Sequence, residues 1–257
     1  MLFHIREYFL YFLNKEDQHS IHSPYYFNLY KDLKLYLKEN KKGIQKIELV
    51  RKKFLASNQE ILRIDFGAGS RWSRGNKQKI SAIANHVSSP LKFSLIYQFL
   101  CKLSPAHTVL ELGTSLGINT AYLSAVTKGM LYSYEGDPAL VDLAREHLSK
   151  ESNINLVSGN LNETLNISLR ALKKVDFVLI DANHRYEPTI NYFNQIVPKL
   201  HAESILVIAD IHWSNQMKKA WQELKTHSSV TGSMDFFDCG VLFFGNHGVR
   251  NDFILEI

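Results

Sequence analysis

From about Leu91 onward, short apolar runs rich in β-branched residues alternate with longer segments whose apolar positions recur every three or four residues. That alternation predicts strands joined by helices. A strand covered on both faces reads as a continuous apolar run, whereas a covering helix shows a single apolar stripe. The pattern predicts strands over 108–112, 130–135, 154–158, 175–180 and 204–209, with helices over 118–126, 139–148, 163–172, 188–200 and 215–227. Two more strand-like runs, 230–236 and 241–244, flank Asp238-Cys239-Gly240, a connection too short for a crossover helix, so they predict a terminal β-hairpin. The fold class is α/β: a doubly wound, mostly parallel, seven-stranded sheet ending in a hairpin. Before it, residues 1–90 read as helices broken by turn chemistry. One runs to about Leu13, and a second starts near Tyr25 after Ser23-Pro24, with a break at Gly43. The chain is thus expected to divide into a helical cap, 1–90, and a sheet domain, 91–257.

The composition fits a folded domain: 257 residues, 45% hydrophobic and 21% charged. The formal net charge of +5 is unevenly placed, with 16 Lys+Arg against 8 Asp+Glu in residues 1–90 and 14 against 17 in the remainder. A basic stretch such as 31–53 suits nucleic acid, an anionic membrane or an acidic substrate, but Asp32, Glu39 and Glu48 interrupt it, as on a solvated helical surface. The apolar start, 1–13, contains Arg6 and Glu7 and precedes no small-residue cleavage site, so it reads as a mature amphipathic helix. Its Phe3, Tyr8, Phe9, Tyr11 and Phe12 suit packing between subunits of a homodimer. No apolar run approaches the roughly 20 residues of a membrane span, and Cys101 and Cys239 are the only cysteines; a cytoplasmic location is the expectation.

In an open parallel sheet, ligands bind at the carboxyl ends of the strands. The first predicted strand ends in Glu111-Leu112-Gly113-Thr114-Ser115-Leu116-Gly117. Gly113 permits a sharp turn and a close approach of ligand to main chain, and Gly117 permits tight packing where the next helix begins. Glu135, 22 residues beyond Gly113, closes the second strand, where a carboxylate can accept from both hydroxyls of a ribose. The pair points to an adenosine-containing ligand. Ser115 stands where a dinucleotide fingerprint has its second glycine, which disfavours a nicotinamide cofactor. A second glycine run, Ile64-Asp65-Phe66-Gly67-Ala68-Gly69-Ser70, is followed by Ala84-Asn85-His86-Val87 where an acidic strand end is required, and is read as a cap loop.

These motifs together resemble the class I S-adenosylmethionine-dependent methyltransferases, within them the small-molecule O-methyltransferase branch. The resemblance covers about residues 91–245 and runs from the first glycine turn through Tyr134-Glu135-Gly136-Asp137, Ser158-Gly159-Asn160 and Val175-Asp-Phe-Val-Leu-Ile-Asp181. It implies a Rossmann-like fold, S-adenosylmethionine as cofactor, and cofactor contacts from Glu111, Gly113, Thr114, Ser115, Gly117, Glu135, Gly159, Asn160 and Asp181. Asn160 departs from the Asp common at the adenine position and supplies an amide oxygen instead. In the metal-dependent members a divalent cation is held by two acids and an Asn. Asp181 and Asp210 match the acids, but Ile211 stands at the Asn position. A metal is thus possible but not favoured, with Asp181 and Asp210 as its acids.

For the chemistry, Asp181-Ala-Asn-His184 closes the fourth strand and Asp210-Ile-His212-Trp213 the fifth. His184 and His212 are the general-base candidates, with Asp210 beside them. The expected function is transfer of a methyl group from S-adenosylmethionine to a small molecule at a hydroxyl oxygen. The alternatives are an RNA or protein methyltransferase docking through the basic amino-terminal half, or a non-catalytic cofactor-binding protein. Against nucleic acid stands the lack of an Asp/Asn-Pro-Pro-aromatic run at the fourth strand end.

Overall fold

A computed structural model describes residues 2–64, 77–246 and 248–257. The elements in chain order begin with α1 (Leu2–Asn14), α2 (Pro24–Glu39) and α3 (Gln45–Leu55), then β1 (Glu60–Leu62), β2 (Lys77–Lys79) and α4 (Ile80–His86). The sheet region comes next: α5 (Leu91–Leu103), β3 (Thr108–Leu112), α6 (Ile118–Ser124), β4 (Met130–Glu135), α7 (Pro138–Leu148), β5 (Ile154–Ser158) and α8 (Leu161–Ala171). The chain then forms β6 (Phe177–Ile180), α9 (Tyr186–Ile196), β7 (Ile205–Ala209), α10 (Asn215–Leu224), β8 (Gly232–Asp235), β9 (Cys239–Phe243) and β10 (Asn251–Ile254).

The main sheet runs β10-β8-β9-β7-β6-β3-β4-β5. β3 to β7 are mutually parallel, and β9 lies antiparallel between β7 and β8, as the short Phe236–Asp238 connection dictates. The sheet has eight strands, not the expected seven. β10 pairs in parallel with β8, and the sequence conceals it because Asn251 and Asp252 open a four-residue segment in which only Phe253 is buried. Tyr11 donates to the Leu255 carbonyl (2.6 Å), and Glu16 bridges to Leu255, so the amino terminus holds this edge in place.

Strand residues alternate between two cores, as the twofold pleat requires. Val109, Leu131, Phe177, Leu179, Val207 and Val241 face α2 and α5. Leu110, Leu112, Val178, Ile180, Leu206 and Leu242 face α8, α9 and α10. A third cluster joins α3, α4, α6 and the start of α7 through Ile47, Phe54, Ile83, Ile118, Tyr122 and Leu140. Of the helices before Leu91, α2 packs into the same interior as the sheet, whereas α3 and α4 pack on α5, α6 and α7. Among the described residues, no helix is long and apolar enough to cross a membrane.

The chain leaves β3 for β4 and β5 on one side and returns to β6 and β7 on the other. Strand order reverses between β3 and β6, and a crevice opens at their carboxyl ends. There Asp181 donates its backbone N–H to the Leu112 carbonyl (2.8 Å), which sets the loop after β6 directly against the glycine turn after β3.

Candidate active site

That crevice is a cavity of about 400 Å³, within the range of small-molecule sites. Its floor is the glycine turn. Gly113 takes φ +107°, and a Cβ there would lie 2.2 Å from the Asp181 carbonyl oxygen, so only glycine fits. Gly117 (φ +75°) stands immediately before α6, where a Cβ would meet Ala144, His147 and Leu148 of α7 at 3.0–3.1 Å.

Glu135 is held by two backbone donors: Ser115 N–H to Oε2 (2.8 Å) and Asp137 N–H to Oε1 (2.9 Å). An ionised carboxylate has about four acceptor positions, so two are left for a diol. Burial raises the Glu135 carboxyl above its ordinary range, opposed by these N–H groups and by Arg63. Arg63, in the segment after β1, donates Nε–H to Asp137 (3.0 Å) and lines the same end of the cavity, as do Gly136, Leu140, Asn160 and Leu161. Asn160 caps α8 by accepting from the Asn162 N–H (3.0 Å). The Ile64–Ser70 glycine run lies outside the described residues from Asp65 onward; Ile64 itself lines the cavity.

The opposite end is built by loops after β6, β7 and β8. His184 stands between two carboxylates, with Nε2 3.8 Å from Asp181 Oδ1 and Nδ1 3.6 Å from Asp210 Oδ2. Its Nδ1 has no hydrogen-bond partner, and neither does Asn183 Oδ1. Burial pushes the Asp181 carboxyl up to about 6; Asp210 adds to the rise, while His184 and the Ser89 hydroxyl oppose it. Asp210 is tied in place through its backbone N–H, which donates to the Asp238 carbonyl (2.6 Å). Phe93, Tyr97 and Trp213 supply aromatic walls, and Ser88, Ser89 and Pro90 close the side facing α5. Ser115, Asn183, His184 and Asp210 all have positive φ (49°, 69°, 45° and 58°) and all line the cavity. Left-handed backbone at non-glycine residues costs on the order of 1–3 kcal/mol each and persists only where the surroundings enforce it, a condition typical of functional sites.

Of the expected cofactor residues, Gly113, Ser115, Glu135, Asn160 and Asp181 line the cavity. Glu111, Thr114, Gly117 and Gly159 stand behind them. Glu111 is fully buried and accepts from Thr120 (2.6 Å) and Ser133 (2.5 Å); burial pushes its carboxyl up to about 8. Thr114 shares a hydrogen bond with Ser133 (2.5 Å). Gly159 makes the turn after β5 with φ +132° and donates to the Glu135 carbonyl (2.9 Å).

His184 and Asp210 meet in the cavity, but His212 does not join them. Its Nε2 bonds Asp235 (2.9 Å), its Nδ1 lies 3.5 Å from Glu7, and its ring stacks on Phe237 at 5.1 Å. Sequence reasoning missed Arg63, Ser88, Ser89, Tyr97, Asn183 and Asp238. None belongs to a periodic motif, and only the topology brings them to one place.

The donor groups of Asp181, His184 and Asp210 lie within 4.8 Å of one another, a set able to hold a divalent cation. Ile211, at the position of a third oxygen ligand, is fully buried in the core behind β7.

Residues 110–211, from within β3 to just past β7, match a family described as a methyltransferase domain. The chain resembles the class I methyltransferases. A curated relative, the protein-L-isoaspartate O-methyltransferase of Pyrococcus horikoshii, is 32% identical over 76 residues; they make up 29% of this chain, which spans about a third (34%) of that relative's length. Solved structures share the methyltransferase fold. A putative caffeoyl-CoA O-methyltransferase from Staphylococcus aureus matches over 84% of this chain and 100% of its own (TM-score 0.57, 15% identity). The O-methyltransferase TomG from Streptomyces achromogenes, involved in tomaymycin synthesis and solved with S-adenosylmethionine, matches over 62% and 82% (TM-score 0.52, 14% identity). An O-methyltransferase from Bacillus cereus, solved with S-adenosylhomocysteine, matches over 63% and 86% (TM-score 0.52, 15% identity). In this methyltransferase-like sheet the cavity sits at the strand-order reversal, between the glycine turn and the loops after β6 and β7.

Proposed function

We propose that the protein transfers the methyl group of S-adenosylmethionine to a hydroxyl oxygen of a small molecule. The observation that carries this reading is the continuity of the cavity: Gly113 and Glu135 stand at one end and His184 at the other. The Gly113 cradle and the two free acceptor positions of Glu135 suit the nucleoside portion of the cofactor, with Asn160 offering an amide oxygen to the adenine amino group. When bound, the cofactor supplies an electrophilic methyl carbon on a sulfonium. His184, which lines the cavity between Asp181 and Asp210, would act as the general base that takes the proton of the acceptor hydroxyl as the methyl group is transferred. Asp181 and Asp210, on either side of the ring, stabilise the imidazolium that results. Phe93, Tyr97 and Trp213 hold an aromatic or otherwise flat acceptor over that base. Asp181, His184 and Asp210 are also the residues that would hold a divalent cation, whose contribution would be to polarise the acceptor oxygen.

The test is methyl transfer from labelled S-adenosylmethionine to a panel of small phenols and alcohols, with an isoaspartyl peptide and an RNA as competing acceptor classes. Labelled O-methyl ether formation that requires His184 supports the proposal. Transfer confined to peptide or RNA, or cofactor binding without transfer to any hydroxyl, refutes it.

A further inference from the structure

Helix α1 is amphipathic in the reverse of the usual sense. Its inner face carries His4, Glu7 and Tyr11, while its outer face presents Ile5, Tyr8, Phe9, Phe12 and Leu13, each 51–62% exposed. At 3.6 residues per turn these five fall within an arc of roughly 140°. Of the fifteen large apolar side chains exposed among the described residues, five lie on this one helix of thirteen residues; the others are spread over the rest of the surface. Scattered exposed apolar residues are ordinary, but a continuous stripe marks an interaction surface.

The helix cannot roll to hide this stripe without breaking its polar anchors. Glu7 is nearly fully buried and pairs with Lys218 Nζ (2.6 Å) as well as facing His212. Tyr11 donates to Leu255, and Lys15 pairs with Glu256. The ion pairs and hydrogen bonds fix which side faces out.

We infer that this stripe is where a second copy of the chain docks, α1 against α1 across a twofold axis. Area and symmetry both favour that occupant. Five large side chains, each more than half exposed, offer on the order of 600 Å², so pairing two such stripes removes about 1,200 Å², the lower end of stable specific interfaces. A twofold contact needs only one self-complementary patch, and an apolar stripe is complementary to itself. In an antiparallel crossing its midpoint, Phe9, meets Phe9 of the second copy, and Ile5 meets Leu13. The inference is independent of the proposed chemistry.

Sedimentation velocity on the full chain at micromolar concentration, with Phe9→Glu/Phe12→Glu as the variant, tests it. The expected result is twice the monomer mass for the wild type and the monomer mass for the variant, with circular dichroism unchanged because both residues lie outside the core. Phe9→Cys adds a check that does not depend on the charged variant: cysteines at the dyad form an intermolecular disulfide under mild oxidation, whereas the native Cys101 and Cys239 are buried. A monomeric wild type, a double variant that stays dimeric, or Phe9→Cys that fails to cross-link overturns the inference. A monomer that floats with phosphatidylglycerol vesicles through the same residues overturns it in favour of a bilayer surface.

Discussion

The two ends of the cavity are made in different ways. At the Glu135 end, recognition rests on backbone: a glycine turn, two N–H groups holding one carboxylate, and a helix start capped by Asn160. At the His184 end it rests on side chains from three loops, with left-handed backbone at Asn183, His184 and Asp210 and with buried polar atoms at Asn183 and His184 left unpartnered. The first end also holds open capacity, since Ser115 has left-handed backbone and an unpartnered Oγ and Glu135 keeps two acceptor positions, but strain and unmet side-chain capacity are concentrated at the second, on Asn183, His184 and Asp210. Fixed backbone suits a ligand that never varies; strained and unsatisfied side chains suit a reacting partner, because their interactions are completed only when it arrives.

The sharpest way to separate the ends is to remove the reactive one. His184→Ala should lower kcat by about 10²–10⁴-fold, the range for loss of a general base, while cofactor affinity measured by calorimetry stays within about twofold. Equal losses in both would mean that the ring belongs to the cofactor end.

A second effect belongs to the support beneath the Glu135 end. Folding raises the Glu111 carboxyl from 4.5 to about 8 through burial. The folded protein therefore holds a proton that the unfolded chain releases, and the contribution is fully present below about pH 4.5 and is lost as pH rises towards 8. Within that window stability should fall by about 1 kcal/mol per pH unit. Glu111→Gln, which mimics the protonated acid, should flatten that slope in urea titrations at pH 5, 6, 7 and 8. An unchanged slope would place the proton elsewhere.

The smallest expected catalytic effect is at His212. Its ring sits between Asp235 and Glu7 instead of in the cavity. His212→Ala should cost about 1–3 kcal/mol of stability by leaving buried carboxylates short of a partner, seen as a lower Tm, with turnover per folded molecule nearly unchanged. A large fall in kcat with Tm intact would restore it to the reacting end.

The same division explains what the sequence made legible. β3 to β5 are read to the residue because each is a short apolar run bounded by turn chemistry, and Gly113 and Glu135 stand out by spacing alone. β10 is missed because Asn251 and Asp252 hide an edge strand whose pairing is set by the distant amino terminus. His184 and His212 look alike in sequence, each closing a strand near an Asp. What separates them is Glu7, more than 200 residues upstream, which reaches one and not the other. Ser89, Tyr97 and Asp238 carry no local signature, because their role is created by the crossing of loops in space. Motifs expose a site made of backbone, whereas a site made of converging side chains becomes visible only once the chain is folded.

Everything assigned to the cavity depends on a nucleoside being held between Gly113 and Glu135. Titration calorimetry of S-adenosylhomocysteine into wild type and Glu135→Ala probes that contact. Stoichiometric binding to the wild type is expected, with a loss of about 1–3 kcal/mol in the variant through the missing charge-assisted hydrogen bonds. Identical affinities in the two proteins, or no binding to the wild type, would contradict it.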